Sequence, residues 1–228
     1  MDVAPDQLHT HMLRWVRVSP NGKHAVYQAL GHLYIQPLPK GKARRLTRQN
    51  KHFEFYPSFS ADGRFVVYTT WHDQELGSVR RVSVNTGKVR LLSRKPGHYI
   101  TPALSPDNRH VVYRRIGGGW ITSPRWSKDP GLYALPVVRN SKEVLISHSG
   151  TDPHFGASSQ RVYFLGKKAK DERVLRSARL DGHKNREHVI SAEAASFRVS
   201  PNEQWIAWQE GYQVWVSPFV RAGRTYRL

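Results

Sequence analysis

His9-Thr10-His11 has the His-x-His spacing that holds a catalytic metal ion when it ends an apolar strand and later strands supply further ligands. No apolar strand precedes it here, so the pair reads as part of a solvated leader. The twelve histidines are scattered, and none belongs to a helix-borne His-Glu-x-x-His. There is no Gly-x-Ser-x-Gly elbow, and Ser105, Ser158 and Ser159 fall in turns. Gly117-Gly118-Gly119-Trp120 would suit a phosphate cradle only if it opened a helix, and no helical pattern follows. No acid, base and nucleophile converge, so no catalytic residue, metal ligand or cofactor is assigned within this chain.

One stretch has the composition of a contact surface. Between Tyr113 and Leu132 the chain is longer than in its other comparable stretches. It holds Gly117, Gly118, Gly119 and Trp120, then Arg125 and Trp126. Tryptophan and arginine on a loop carried by a rigid scaffold are common binding anchors. The competing reading is a loop folded over its own sheet, with the indoles filling gaps.

The elements that must position these residues are repeated. Ser19-Pro20-Asn21-Gly22 leads to Tyr27, Ser60-Ala61-Asp62-Gly63 to Tyr68, and Ser105-Pro106-Asp107-Asn108 to Tyr113. A worn copy, Gly156-Ala157-Ser158-Ser159, leads to Phe164, and Ser200-Pro201-Asn202-Glu203 leads to Trp208. The copies begin about 41, 45, 51 and 44 residues apart, the period of four-stranded propeller blades. Each unit reads as an innermost strand, the turn, a second strand ending in the aromatic, a third strand, and a fourth closing on Leu46-Thr47, Leu92-Ser93, Ile146-Ser147 or Ile190-Ser191. In the last unit Arg224–Leu228 is the expected fourth strand. The fold expected is all-β: a β-propeller of four-stranded antiparallel blades with five repeats, as a small closed ring or an open arc. The units run about 13–50, 51–95, 96–148, 149–192 and 193–228, after a leader or blade-closing strand at 1–12.

Bulk properties bound the partners. In 228 residues, 36 Lys and Arg stand against 17 Asp and Glu, a formal charge of +19. Charge of that size bears on partners and solubility rather than on fold. The basic residues cluster where third and fourth strands meet: Lys40, Lys42, Arg44 and Arg45; Lys88, Arg90, Arg94 and Lys95; Lys184 and Arg186; Arg221, Arg224 and Arg227. A belt around the outer rim protects unpaired sheet edges and is less like a nucleic-acid site than a stripe on one face. Nucleic acid is therefore the less favoured partner and a protein the favoured one. The absence of cysteine excludes disulfides and thiolate sites and leaves the compartment open. No apolar run is long enough to span a bilayer, and Met1–Gln7 lacks the basic and apolar regions of a signal peptide.

The Ser-Pro-Asp/Asn-Gly turns, the aromatic end of the second strand and the Arg-Leu-Thr or Leu-Leu-Ser close resemble the TolB-like, or PD40, class of WD40-like β-propellers. A narrower resemblance lies between the repeats, in Ala29–Tyr34, Tyr68–Asp73, Pro96–Tyr99 and Phe219–Gly223. These are similar to the propeller that precedes the metal-dependent domain of large bacterial amidohydrolase-family proteins. That resemblance implies a non-catalytic module for protein interaction or substrate gating, with the metals in a barrel domain absent from this chain. It also implies a periplasmic or secreted location, and it offers Trp71, His72, Asp73, His98 and Tyr99 as binding candidates. The alternative is a free-standing module that holds a protein, a glycan or an anionic nucleic acid or lipid. Self-association through the terminal blades is a further expectation.

Overall fold

Hydrogen bonding inside the turn explains why its spelling recurs. The Ser19 hydroxyl donates to Asn21 Oδ1 (2.7 Å) and accepts the His24 N–H (3.0 Å), while Asn21 Oδ1 also accepts the Lys23 N–H (3.1 Å). The same three bonds form at Ser60 and Asp62, Ser105 and Asp107, and Ser200 and Asn202. Short polar side chains here replace backbone partners and fix the reversal. The left-handed position is filled by Gly22 and Gly63 in the first two units, and by Asn108 and Glu203 in the third and fifth.

The computed structural model describes residues 10, 12–117, 129–220 and 224–228, which form twenty strands and no α-helix. Blade 1 consists of β1 (Arg14–Val18), β2 (His24–Ala29), β3 (His32–Pro37) and β4 (Arg44–Arg45). Blade 2 has β5 (Phe53–Phe59), β6 (Phe65–Trp71), β7 (Ser78–Ser83) and β8 (Val89–Leu91). Blade 3 has β9 (His98–Leu104), β10 (His110–Ile116), β11 (Gly131–Pro136) and β12 (Val144–Ser147). Blade 4 has β13 (Thr151–Phe155), β14 (Arg161–Lys167), β15 (Arg173–Arg179) and β16 (Arg186–Ser191). Blade 5 has β17 (Ala194–Val199), β18 (Trp205–Glu210) and β19 (Gln213–Pro218). The strands within each blade pair antiparallel in chain order, so the molecule is an all-β propeller of five blades.

The last strand departs from expectation. β20 (Tyr226–Arg227) does not complete blade 5; it runs parallel to β16 in blade 4, with Val189 opposite Tyr226 and Ile190 opposite Arg227. Phe219 supplies the reason. It is buried edge-on against Tyr163 (5.9 Å between ring centroids) and beside His188, which draws the chain across to blade 4. There the open edge of β16 accepts bonds from Leu228 N–H to Ile190 O (2.9 Å) and from the Thr225 hydroxyl to Glu187 O (3.1 Å). An unpaired edge near an anchored chain is a ready partner.

The core lies between blades. Tyr68, Tyr113 and Phe164, the repeat aromatics, are buried against the preceding blade, and Trp208 is half-buried against blade 4. Tyr27 is buried beside Tyr34 (6.0 Å) on the face of blade 1 opposite Val26, Leu33 and Ile35. Innermost strands pack in succession, β1 on β5, β5 on β9, β9 on β13 and β13 on β17. Among the described residues no comparable packing joins β17 to β1, so the five blades form an open arc.

Candidate functional site

The five turns gather at one end of the arc, and those of blades 2 to 5 are tied to one another. Asn108 Nδ2 donates to Asp62 Oδ2 (2.8 Å), Asp107 N–H to the Ser159 hydroxyl (3.1 Å), and Ala157 N–H to Glu203 Oε1 (2.9 Å). Blades 2 to 5 are thereby linked in series at their tips. The worn fourth turn owes its sequence to this link. A Cβ on Gly156 would lie 2.4 Å from Glu203 Cγ, so the serine found there in other copies would collide with the carboxylate that caps Ala157. Burial opposes ionisation of Asp62, but hydrogen bonds from Ser60, Arg64 and Asn108 prevail and bring its pKa down to about 2.

The candidates taken from the sequence lie at the opposite end, where β6 and β10 finish and β9 begins. Trp71 Nε1 donates to Asp73 Oδ1 (2.8 Å), and its indole lies 5.0 Å from the His98 ring. His72 Nδ1 accepts the N–H groups of Gln74 and Glu75, so it acts as a cap for its own loop. Tyr99 is a core residue, edge-on to Tyr113 at 5.2 Å, with its hydroxyl bonded to Lys95 O. Gly117 lies beside Pro130. Gly118, Gly119, Trp120, Arg125 and Trp126 lie outside the described residues, as do His9 and His11.

Trp71, His72 and Asp73 line a cleft of about 370 Å³ together with His32, His52 and Phe53 of the blade 1–blade 2 junction. Next to Phe53 on β5 is the fully buried Glu54, whose carboxylate accepts Leu33 N–H (2.8 Å), the Thr47 hydroxyl (2.7 Å) and a bond from Gln49 Nε2 (2.7 Å). That set satisfies the carboxylate without a cation. Burial, then Arg80, lowers the His52 pKa to about 4, and burial with Arg45 lowers that of His32. The two imidazoles are therefore neutral near pH 7. Among the described residues no cluster of three or more His, Cys, Asp or Glu can hold a metal ion.

A second cavity, of about 360 Å³, lies on the axis, and all five innermost strands line it. Its side chains include Trp15, Arg17, Tyr56, Asp152, His154 and Arg198. Sequence reasoning passed over them. The signal that marks their level is a residue followed by proline in three innermost strands: Tyr56-Pro57, Thr101-Pro102 and Asp152-Pro153.

No protein-family model matches the chain. Over 100 residues, 44% of this chain, it is 31% identical to the Tol-Pal system protein TolB of Francisella tularensis. The chain spans 22% of that relative's length. In structure it is similar to a TolB-assigned protein of Agrobacterium tumefaciens (TM-score 0.70, 16% identity, 86% of this chain and 69% of that one). The chain is a TolB-like β-propeller. An oligogalacturonate lyase of Vibrio parahaemolyticus also shares the fold (TM-score 0.68, 11% identity, 90% of this chain and 62% of that one). TolB-like propellers thus serve proteins of unlike function, and the role of this one has to be argued from its own surfaces.

Proposed function

We propose that this propeller is a non-catalytic protein-interaction module whose terminal blade faces are docking surfaces. The observation that carries the reading is a pair of bare faces with complementary character. Val216 pairs with Ala207 across β18 and β19, as Ile35 pairs with Val26 across β2 and β3, and Val214 stands opposite Gln209 as Leu33 stands opposite Gln28. In blade 1 those positions are covered by blade 2; in blade 5 Val214 is 72% exposed. At the other end of the arc Val18, opposite Ala25, is 56% exposed, while its counterpart Leu104 is 6% exposed. Among the described residues one blade-to-blade interface is repeated four times, and one half of it is left exposed at each end. Contiguous apolar surface of this kind marks an interaction site.

Two covers fit. One is a further domain of a longer polypeptide; the resemblance to the propeller of amidohydrolase-family proteins supports a metal-dependent hydrolase domain in that role. The other is a second copy of this chain, docking head to tail. Because the two faces differ, such contacts are heterologous and extend beyond dimers unless they close. The test is light scattering over a concentration series for the wild-type chain and the V214E/V216E double variant. Mass that grows with concentration in the wild type and not in the variant supports docking through blade 5. A wild-type monomer that also fails to retain any domain of its parent polypeptide supplied in trans would overturn the reading.

A further inference from the structure

The axial cavity is built at a cost in backbone strain, and the strain falls at equivalent places. Each innermost strand carries an irregularity in its register against the second strand. In four of them the irregularity holds a non-glycine residue in the left-handed region: Trp15 (φ 51°), Tyr56 (52°), Thr101 (48°) and Asp152 (55°). Three of these precede proline, which normally disfavours anything but extended backbone. Bulges re-aim side chains, and strain of this kind collects where a ligand is held. Here all four residues line the same cavity.

The walls differ in chemistry. On one side Trp15 and Tyr56 form an aromatic surface, with ring centroids 4.4 Å apart. On the other, Arg198 donates to Asp152 Oδ1 at 2.5 Å. His154 contributes no charge: burial, then Arg198, lowers its pKa to about 3, and its Nε2 accepts Val199 N–H (3.1 Å). Arg17 adds a second guanidinium, with no carboxylate paired to it among the described residues. Among the described residues the cavity therefore holds two guanidinium groups against one carboxylate, and the buried Thr101 Oγ1 has no hydrogen-bond partner there. Arg17 belongs to β1 and Arg198 to β17, the two innermost strands between which, among the described residues, no packing comparable to that of the other blades is found. Burial lowers the Arg198 pKa, Asp152 raises it, and the nearby charge of Arg17 lowers it again. An anion between the two arginines would relieve that repulsion across the opening of the arc.

We propose that the axial cavity binds a carboxylate carried on a planar or ring-shaped body, the carboxylate between Arg17 and Arg198 and the body against Trp15 and Tyr56. The excess positive charge selects against cations, guanidinium suits the planar carboxylate, and about 360 Å³ accommodates a group the size of one residue or one sugar ring.

Titration calorimetry with two matched pairs of probes tests this. One pair is a short acetylated peptide ending in tyrosine, as free acid and as amide; the other is galacturonate and galactose. At least one acid should bind about tenfold tighter than its neutral twin, and the pair that responds tells a peptide terminus from an acidic sugar. Arg17→Gln, at an exposed side chain, should abolish the preference with an unchanged urea midpoint. Asp152→Asn removes the competing carboxylate and should strengthen acid binding severalfold, where a purely structural role for Asp152 would weaken it. No discrimination within either pair, or a preference intact in Arg17→Gln, overturns the proposal. If Asp152→Asn does not fold, Arg17→Gln decides alone.

Discussion

Ile35 and Val216 hold the same place in their blades, opposite Val26 and Ala207, yet Ile35 is 1% exposed and Val216 62%. One position in the repeat is thus core in blade 1 and surface in blade 5, because among the described residues only blade 1 has a neighbour on that side. Truncation should expose the difference. Ile35→Ala is expected to cost about 2–5 kcal/mol through lost burial and a cavity, and Val216→Ala no more than about 0.5 kcal/mol. Urea denaturation of the two variants at low protein concentration measures both. Equal losses would mean that blade 5 is covered.

The repeat aromatics are not interchangeable at their hydroxyls. Tyr113 Oη donates to Glu143 Oε2 at 2.7 Å, whereas the fully buried Tyr68 Oη has no hydrogen-bond partner. Tyr113→Phe should therefore destabilise by about 1–2 kcal/mol, and Tyr68→Phe should be neutral or slightly stabilising. Thermal melts of both variants, compared with wild type, decide it. A Tyr68→Phe loss as large as that of Tyr113→Phe would contradict the contact pattern.

Glu143 also pairs with Arg115, which is buried with its guanidinium 4.2 Å from the centre of the Tyr133 ring. Glu143→Gln keeps the shape and removes the charge. It is expected to destabilise by about 1–3 kcal/mol, since a buried cation then loses its counter-ion, discounted because the Glu143 side chain is 23% exposed. The loss should persist in 0.5 M salt, unlike that of a surface pair such as Lys51–Glu75.

Stability should fall as the solution is acidified below neutrality. His154 and His52 have folded-state pKa values of about 3 and about 4, below the ordinary histidine value of 6.5. Between about pH 6.5 and those values the unfolded chain takes up protons that the folded chain refuses, so stability rises with pH across that window and is lost as pH drops through it. The urea midpoint from pH 8 to pH 4 should decline most below 6.5. His154→Gln should flatten the slope while lowering stability at pH 8, because the amide restores the Val199 acceptor only in part.

The turn network makes a graded prediction. Ser60→Ala and Ser105→Ala each remove a hydroxyl that donates to an Asx oxygen and accepts a backbone N–H. Each should cost about 1 kcal/mol or slightly more. In the worn turn the Ser158 hydroxyl makes one bond, to Gln160 N–H, and Ser158→Ala should cost less. Urea unfolding of the three variants ranks them.

Local chemistry settled the blade. The Ser-x-Asx turn closes through bonds between residues two to five apart, and strand alternation separates Val26 from Tyr27, so five copies of one sheet were legible from spacing alone. The resemblance to TolB-like propellers was legible for the same reason. The cavities were not, because they depend on residues that only the arc brings together. Tyr99 looked like a binding residue beside His98, but the packing of blade 2 on blade 3 makes it core. Arg17 and Arg198 are about 180 residues apart, and nothing local to either marks them as neighbours on one axis. Arg224–Leu228 had the pattern of a fourth strand, and the pattern was right, but which edge it joins depended on where Phe219 found a pocket. A strand's own residues fix that it pairs; the edge within reach decides with what.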